Sequence, residues 1–275
     1  MRAHSRRFEI CLTLSLLWAC AGSARGQSFS APHAKVDLVA EDNSFAAGHT
    51  VWLGVLFDLD KGWHTYWVNP GDSGEAPRIQ WDLPKGFRAG DIRWPVPARL
   101  VTGTIVDYGY EGRVLLAVPV QVPADYKAGA PLTLAADVRY LVCREVCIPA
   151  KAHATLNTPG GGSDAATRRE LFANARNQWP KATPANWKAQ ASDAGDHFVL
   201  SIETGAREPQ AVFFPLGDNV IDNAAPQRPA ATDRGVNLTL KKSDLSTTAV
   251  ATIKGVIVLG PNLAFQIAAP VSRGR

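Results

Sequence analysis

Methionine is almost absent: Met1 stands alone in 275 residues. That argues against a methionine-rich copper carrier, which needs repeated soft thioether ligands. No apolar run reaches the roughly 20 residues of a spanning helix. The most apolar late stretch, residues 256–259, is short and follows Lys254. Neither G-x-S-x-G nor H-E-x-x-H occurs, and Gly160-Gly161-Gly162 lacks the strand-to-helix fingerprint of a phosphate loop, so no hydrolytic motif is present. A basic run is missing as well. The net charge is +4, but residues 1–26 hold Arg2, Arg6, Arg7 and Arg25 against Glu9, so residues 27–275 are close to neutral. Such a body argues against nucleic-acid binding and against a polybasic membrane patch.

What is present is ordinary globular composition, 46% hydrophobic and 20% charged, in a length that suits one or two domains. Residues 1–7 are cationic, residues 10–21 are apolar, and small residues lead to Ala24-Arg25-Gly26. This is the three-part layout of a secretory signal peptide. The expectation is cleavage after Gly26 and export to an oxidising periplasm, with no transmembrane segment in the mature chain. An alternative reads Leu17-Trp18-Ala19-Cys20 as a lipoprotein box with Cys20 carrying lipid; Trp18 fits that box poorly.

Strand-like runs cover residues 35–40, 50–59, 64–68, 78–83, 113–122 and 132–142, separated by turn formers such as Asn69-Pro70-Gly71-Asp72-Ser73-Gly74. Residues 157–163 (NTPGGGS) read as a flexible linker. Residues 164–178 read as a helix, capped by Asp164 and ended by Pro180, with Leu171, Phe172, Ala175 and Trp179 near one face. A second β-rich region follows at 197–203, 211–216, 236–241, 250–260 and 263–268. The predicted class is all-β, a β-sandwich. Its predicted parts are a leader (1–26), a sandwich domain (27–157), linker and helix (158–190), and a second β-rich domain (191–275). The alternative is one continuous large sandwich.

Of four cysteines, Cys11 and Cys20 fall in the leader, leaving Cys143 and Cys147 spaced C-x-x-x-C. If residues 151–156 return as a strand, Arg144-Glu145-Val146 forms a three-residue hairpin loop. The cysteines then face each other with Cα atoms roughly 4.5–5.5 Å apart, which suits a disulfide. A helix would instead put both thiols on one face, making a disulfide harder and leaving metal ligation open. Val146, Ile148 and Pro149 favour the strand. A five-residue loop closed by a disulfide contributes only about 2 kcal/mol by chain entropy, so such a short staple has little structural value in so apolar a chain. Spacing alone leaves a structural and an exchanging disulfide equally open.

Several segments carry a resemblance: Gly62-Trp63-His64-Thr65-Tyr66-Trp67-Val68 running into Asn69–Gly74, Trp94-Pro95-Val96-Pro97, Tyr108-Gly109-Tyr110-Glu111-Gly112, and Leu141-Val142-Cys143 with Cys147-Ile148-Pro149. In order and spacing, residues 35–156 resemble the N-terminal periplasmic domain of the DsbD family of thiol–disulfide interchange proteins, in its longer ScsB-like form. The resemblance implies an immunoglobulin-like β-sandwich whose pair, Cys143 and Cys147, cycles between dithiol and disulfide without cofactor or metal. It implies thioredoxin-fold periplasmic partners. With no membrane domain or C-x-x-C thioredoxin module in the sequence, it further implies a separate membrane electron donor. The C-x-x-x-C spacing departs from the wider gap of short-form members.

Three other readings are open from the residues. His64, Tyr66, Trp67 and Asn69 either shield the disulfide or serve strand packing and a turn, and Tyr108 and Tyr110 divide the same way, with packing favoured in both. Two thiolates with His64 or His153 make a conceivable zinc or copper(I) site, though no histidine is regularly spaced to the pair. A binding module with an unreactive disulfide is the non-catalytic alternative.

Overall fold

The computed structural model describes residues 29–158 and 164–273. The predicted leader, Cys20, and the glycine-rich part of the predicted linker lie outside the described residues. In chain order the strands are β1 (Phe29–Ala31), β2 (Ala34–Ala40), β3 (Thr50–Leu59), β4 (His64–Gly71), β5 (Arg78–Asp82), β6 (Arg88–Ala89), β7 (Ala98–Thr102), β8 (Ile105–Glu111), β9 (Arg113–Gln121), β10 (Leu132–Cys143) and β11 (Cys147–Thr158). Helix α1 (Ala165–Asn177) follows. Then come β12 (Lys188–Asp193), β13 (His197–Glu203), β14 (Val212–Pro215), β15 (Arg228–Thr232), β16 (Gly235–Lys241), β17 (Thr252–Gly260) and β18 (Leu263–Arg273).

The first eleven strands form two facing sheets, ordered β1-β2-β3-β9-β6 and β11-β10-β4-β8-β7, with β5 pairing along β10. Alternation decides what meets in between. Val36, Val55, Phe57 and Leu116 point inward to Tyr108, Val138, Tyr140 and Val142 of the opposite sheet. The long apolar runs of β3 and β9 have a second cause. Leu56, Leu115 and Ala117, on the outer face, lie under Phe172 and Ala175 of α1. A strand covered on both faces reads as continuously hydrophobic rather than alternating.

The helix behaves as its sequence predicts. The Asp164 carboxylate accepts hydrogen bonds from the Ala166 and Thr167 amides at 2.7 and 3.0 Å, satisfying two of the amides a helix start leaves bare. At the other end Arg176 pairs with Glu41 at 2.7 and 2.5 Å. Its guanidinium also lies 5.6 Å from the Trp52 ring centre and 5.9 Å from that of Trp179.

The remaining strands make one seven-stranded sheet, β14-β17-β18-β12-β13-β16-β15. It does not hang free of the sandwich. Phe214, Val256 and Ala264 join the sandwich's own core, and the Phe214 ring meets Trp67 and Tyr108 edge-on at 6.3 and 5.3 Å.

Two local expectations change. Asn157 and Thr158, read as linker, are the last residues of β11, paired with Thr133 and Leu132. Pairing along β10 outweighs their turn preference. Strands β1, β6, β7, β8, β12 and β15 are additions to the predicted set. In β8 the reason is Gly109. It sits where β4 passes so close that a Cβ would lie 2.2 Å from the Thr65 carbonyl oxygen. It marks close approach inside a strand, not a turn.

Because Phe214 fills the core from the C-terminal sheet, Phe214→Ala is expected to cost about 3–5 kcal/mol in urea unfolding. A loss under about 1 kcal/mol would mean that the two β units do not share this core.

Candidate functional site

The site begins with a register. Strands β10 and β11 pair without a break from Leu132↔Thr158 to Cys143↔Cys147, and the loop Arg144-Glu145-Val146 is closed by the Arg144 amide on the Val146 carbonyl at 3.1 Å. The cysteines are joined in a disulfide with Cα atoms 4.1 Å apart. The hairpin predicted from spacing is present, with the backbones slightly closer than unlinked pairing sets them.

The two sulfurs have different surroundings. Cys143 is 2% exposed, because its other neighbour is β4, where it stands in register with His64. Cys147 is exposed, because β11 is the last strand of its sheet. Val146 in the loop is 63% exposed. An incoming group therefore meets Cys147 and an apolar tip first.

Beneath Cys147 lies Tyr66, whose hydroxyl is 3.4 Å from the Cys147 Sγ. The Tyr66 ring is wholly buried and meets the His64 ring edge-on at 5.2 Å. Gly74 is packed against the hydroxyl end of this ring, where a Cβ would come within 2.1 Å of Cζ; any side chain there displaces the tyrosine. The adjoining Ser73 donates from its amide and its hydroxyl to Asp107 Oδ1 at 2.9 and 3.0 Å. Asp107 in turn lies 3.9 Å from His64 Nε2, which is beyond hydrogen-bond length.

Burial sets the protonation of this group. It lowers the His64 pKa, outweighing the pull of Asp107 and Glu111 in the other direction. It raises the Tyr66 pKa, so the phenol keeps its proton. It raises the Asp107 pKa, against the Ser73 hydrogen bonds and His64. The neighbourhood of the disulfide is thus a neutral imidazole and a protonated phenol, and the phenol is able to donate to a thiolate.

The aromatic run His64–Asn69 divides by strand alternation. His64 and Tyr66 attend the disulfide. Trp67 and Asn69 turn to the C-terminal sheet, where Asn69 Nδ2 donates to the carbonyls of Pro215 and Gly217 at 2.8 and 3.1 Å. Tyr108 and Tyr110 do not reach the sulfurs. Their hydroxyls donate to Asn223 Oδ1 and the Pro95 carbonyl at 2.9 and 2.8 Å. His153 is paired with Asp137 at 2.8 Å, six positions down the hairpin from Cys147, roughly 20 Å away. Among the described residues no group of three or more His, Cys, Asp or Glu is arranged to hold a metal ion. Asp107 carries no mark in the sequence; the turn Asn69–Gly74 contains Ser73 and Gly74 without revealing what they hold.

A buried neutral His64 has a consequence for pH. Its folded pKa is below its unfolded value near 6.5, so below that pH the unfolded chain binds more protons and stability falls. Asp107 acts oppositely but in the carboxylate range. Between pH 7 and 5.5 the wild type is expected to lose more stability in urea titrations than His64→Gln; parallel losses would contradict a buried neutral imidazole.

The comparisons with known proteins agree with this geometry. Residues 35–159 match the family described as thiol:disulfide interchange protein DsbD, N-terminal. No curated protein sequence matches the chain. Among solved structures, the N-terminal periplasmic domain of ScsB from Proteus mirabilis superposes with a TM-score of 0.68 at 17% identity, covering 90% of this chain and 98% of that one. That likeness shows a common fold reaching through the C-terminal sheet. Among the described residues no helix is long and apolar enough to cross a membrane. The stretch from residue 35 to 159, with its disulfide hairpin, is an immunoglobulin-like β-sandwich of the DsbD N-terminal family, a family of thiol–disulfide interchange.

Proposed function

We propose that this chain is a periplasmic thiol–disulfide interchange protein that passes electrons between thioredoxin-fold partners through Cys143 and Cys147. The observation that carries the reading is the asymmetry at the hairpin tip. Cys147 is exposed with its sulfur 3.4 Å from a tyrosine hydroxyl, and its mate Cys143 is 2% exposed. The family match supports interchange chemistry, and the ScsB domain's periplasmic location supports the compartment.

Exchange proceeds by thiolate attack on sulfur. In the oxidised protein, a donor thiolate attacks Cys147 Sγ, the Cys143–Cys147 bond breaks, and Cys143 leaves as a thiolate that takes up a proton. The donor's second thiolate then attacks its own sulfur in the mixed disulfide, forming the donor disulfide and releasing Cys147. Two electrons have entered the protein. Delivery reverses the roles: the Cys147 thiolate attacks an acceptor disulfide, and Cys143 resolves the mixed disulfide. Tyr66 acts at both stages as a hydrogen-bond donor to Cys147 Sγ, where negative charge collects. A membrane protein supplying the electrons completes the proposal.

The test is trapping. Cys143→Ser leaves the exposed nucleophile without its resolving partner and is expected to accumulate mixed disulfides with a thioredoxin-fold protein. Cys147→Ser is expected to accumulate few. Greater capture by Cys147→Ser would reverse the assigned order of attack, equal capture would remove it, and no capture by either would contradict exchange.

A further inference from the structure

The C-terminal part contributes no cysteine, yet two buried asparagines at its contact with the sandwich hold the turn beside the disulfide. Asn69, 2% exposed, gives its amide to two carbonyls of the C-terminal part, Pro215 and Gly217. Its own Oδ1 accepts from the Gly71 amide at 3.0 Å. Asn223, 8% exposed, donates from Nδ2 to Asp72 Oδ1 at 2.9 Å and accepts from the Tyr108 hydroxyl at 2.9 Å. Its carbonyl accepts from Arg99 at 2.6 Å. The other Asp72 oxygen accepts from the Val106 amide at 2.7 Å. From Asp72 the chain runs to Ser73, bound to Asp107, and to Gly74, seated on the Tyr66 ring.

We propose that the C-terminal sheet is a working part of the redox site: through Asn69 and Asn223 it clamps the 69–74 turn, and the turn seats the Tyr66 hydroxyl against Cys147 Sγ. Asn69, Asn223 and Asp72 are positioning residues, since none touches sulfur. Two features distinguish this clamp from ordinary interface packing. A buried asparagine with its hydrogen-bonding atoms engaged specifies one geometry, where apolar contact tolerates several. And the clamped turn ends in a residue without a side chain, so its backbone bears directly on the ring that contacts the disulfide. The inference rests on the exchange reading for its biological sense, but its test needs no partner.

Asn223→Asp places two carboxylates face to face and opens the clamp by like-charge repulsion. The swap Asp72→Asn with Asn223→Asp restores it. In the swap, the amide introduced at position 72 donates to the carboxylate introduced at position 223. The side-chain carbonyl at position 72 still accepts from the Val106 amide, and the carboxylate at position 223 still accepts from the Tyr108 hydroxyl. The readout is the rate of iodoacetamide alkylation at Cys147 in reduced full-length protein. In Asn223→Asp it is expected to fall about threefold, part of the worth of one hydrogen bond. The swap is expected to recover the wild-type rate. In a Tyr66→Phe background, Asn223→Asp is expected to add nothing, because both changes remove the same contact. An unchanged rate in Asn223→Asp, a swap that fails to recover it, or full additivity with Tyr66→Phe would each overturn the clamp. If Asn223→Asp does not fold, Asn223→Ser, which loses the donation to Asp72, takes its place: a fall in rate that vanishes in the Tyr66→Phe background supports the clamp, and an unchanged rate or full additivity overturns it. Failure of partner trapping would remove the exchange reading and leave these rates as they are.

Discussion

Everything at the site depends on the pairing of β10 with β11. Side chains alternate across a strand, so a slip of one residue turns Cys143 and Cys147 to opposite faces and separates their sulfurs. The register is held at many points. Val138, Tyr140 and Val142 drop into the core on one face, β5 pairs along β10 from Ala135 to Arg139, and β4 takes over at Cys143. The disulfide is the last rung of a ladder whose position is set far from it. Its three-residue loop adds little stability of its own, about 2 kcal/mol by chain entropy, so the hairpin does not need the bond in order to form. A pair that stays aligned when the bond opens is what a reversible dithiol requires.

The second constraint is that the sandwich is covered on two sides. Helix α1 takes the outer face of β3 and β9. The C-terminal sheet reaches β4 and β8 through Phe214 and the buried asparagines. What remains open includes the hairpin tip. Buried around it are groups that burial keeps uncharged: Tyr66 as phenol and His64 as imidazole. Reactivity at Cys147 therefore rests on local hydrogen bonding and exposure rather than on a cationic neighbour. Arg144, the nearest cation in sequence, is engaged with Glu145 at 3.3 Å on the surface.

Period and punctuation in the sequence are enough for the class, the helix with its cap, and the hairpin loop, because each is set by residues adjacent in the chain. Strands interrupted by close backbone approach are not visible there; the role of Gly109 emerges only once Thr65 is placed against it. The same limit applies to the site. Cys143 and Cys147 declare themselves by spacing, and His64 and Tyr66 by clustering with them in a resemblance. Asp107, Asp72 and Asn223 are ordinary polar residues, 34 to 151 positions from the groups they bind, and nothing local distinguishes them. The Asn157-Thr158 end of β11 misleads for the converse reason: its local turn signal is real but loses to pairing.

The reduction potential of Cys143–Cys147, read by alkylation and mass shift across glutathione buffers, tests the central claim most directly. A midpoint between about −180 and −230 mV, the range of proteins that exchange with their surroundings, is the result expected of an interchange protein. A midpoint below about −300 mV, where structural disulfides lie, would contradict it and leave a β-sandwich binding module with a static staple.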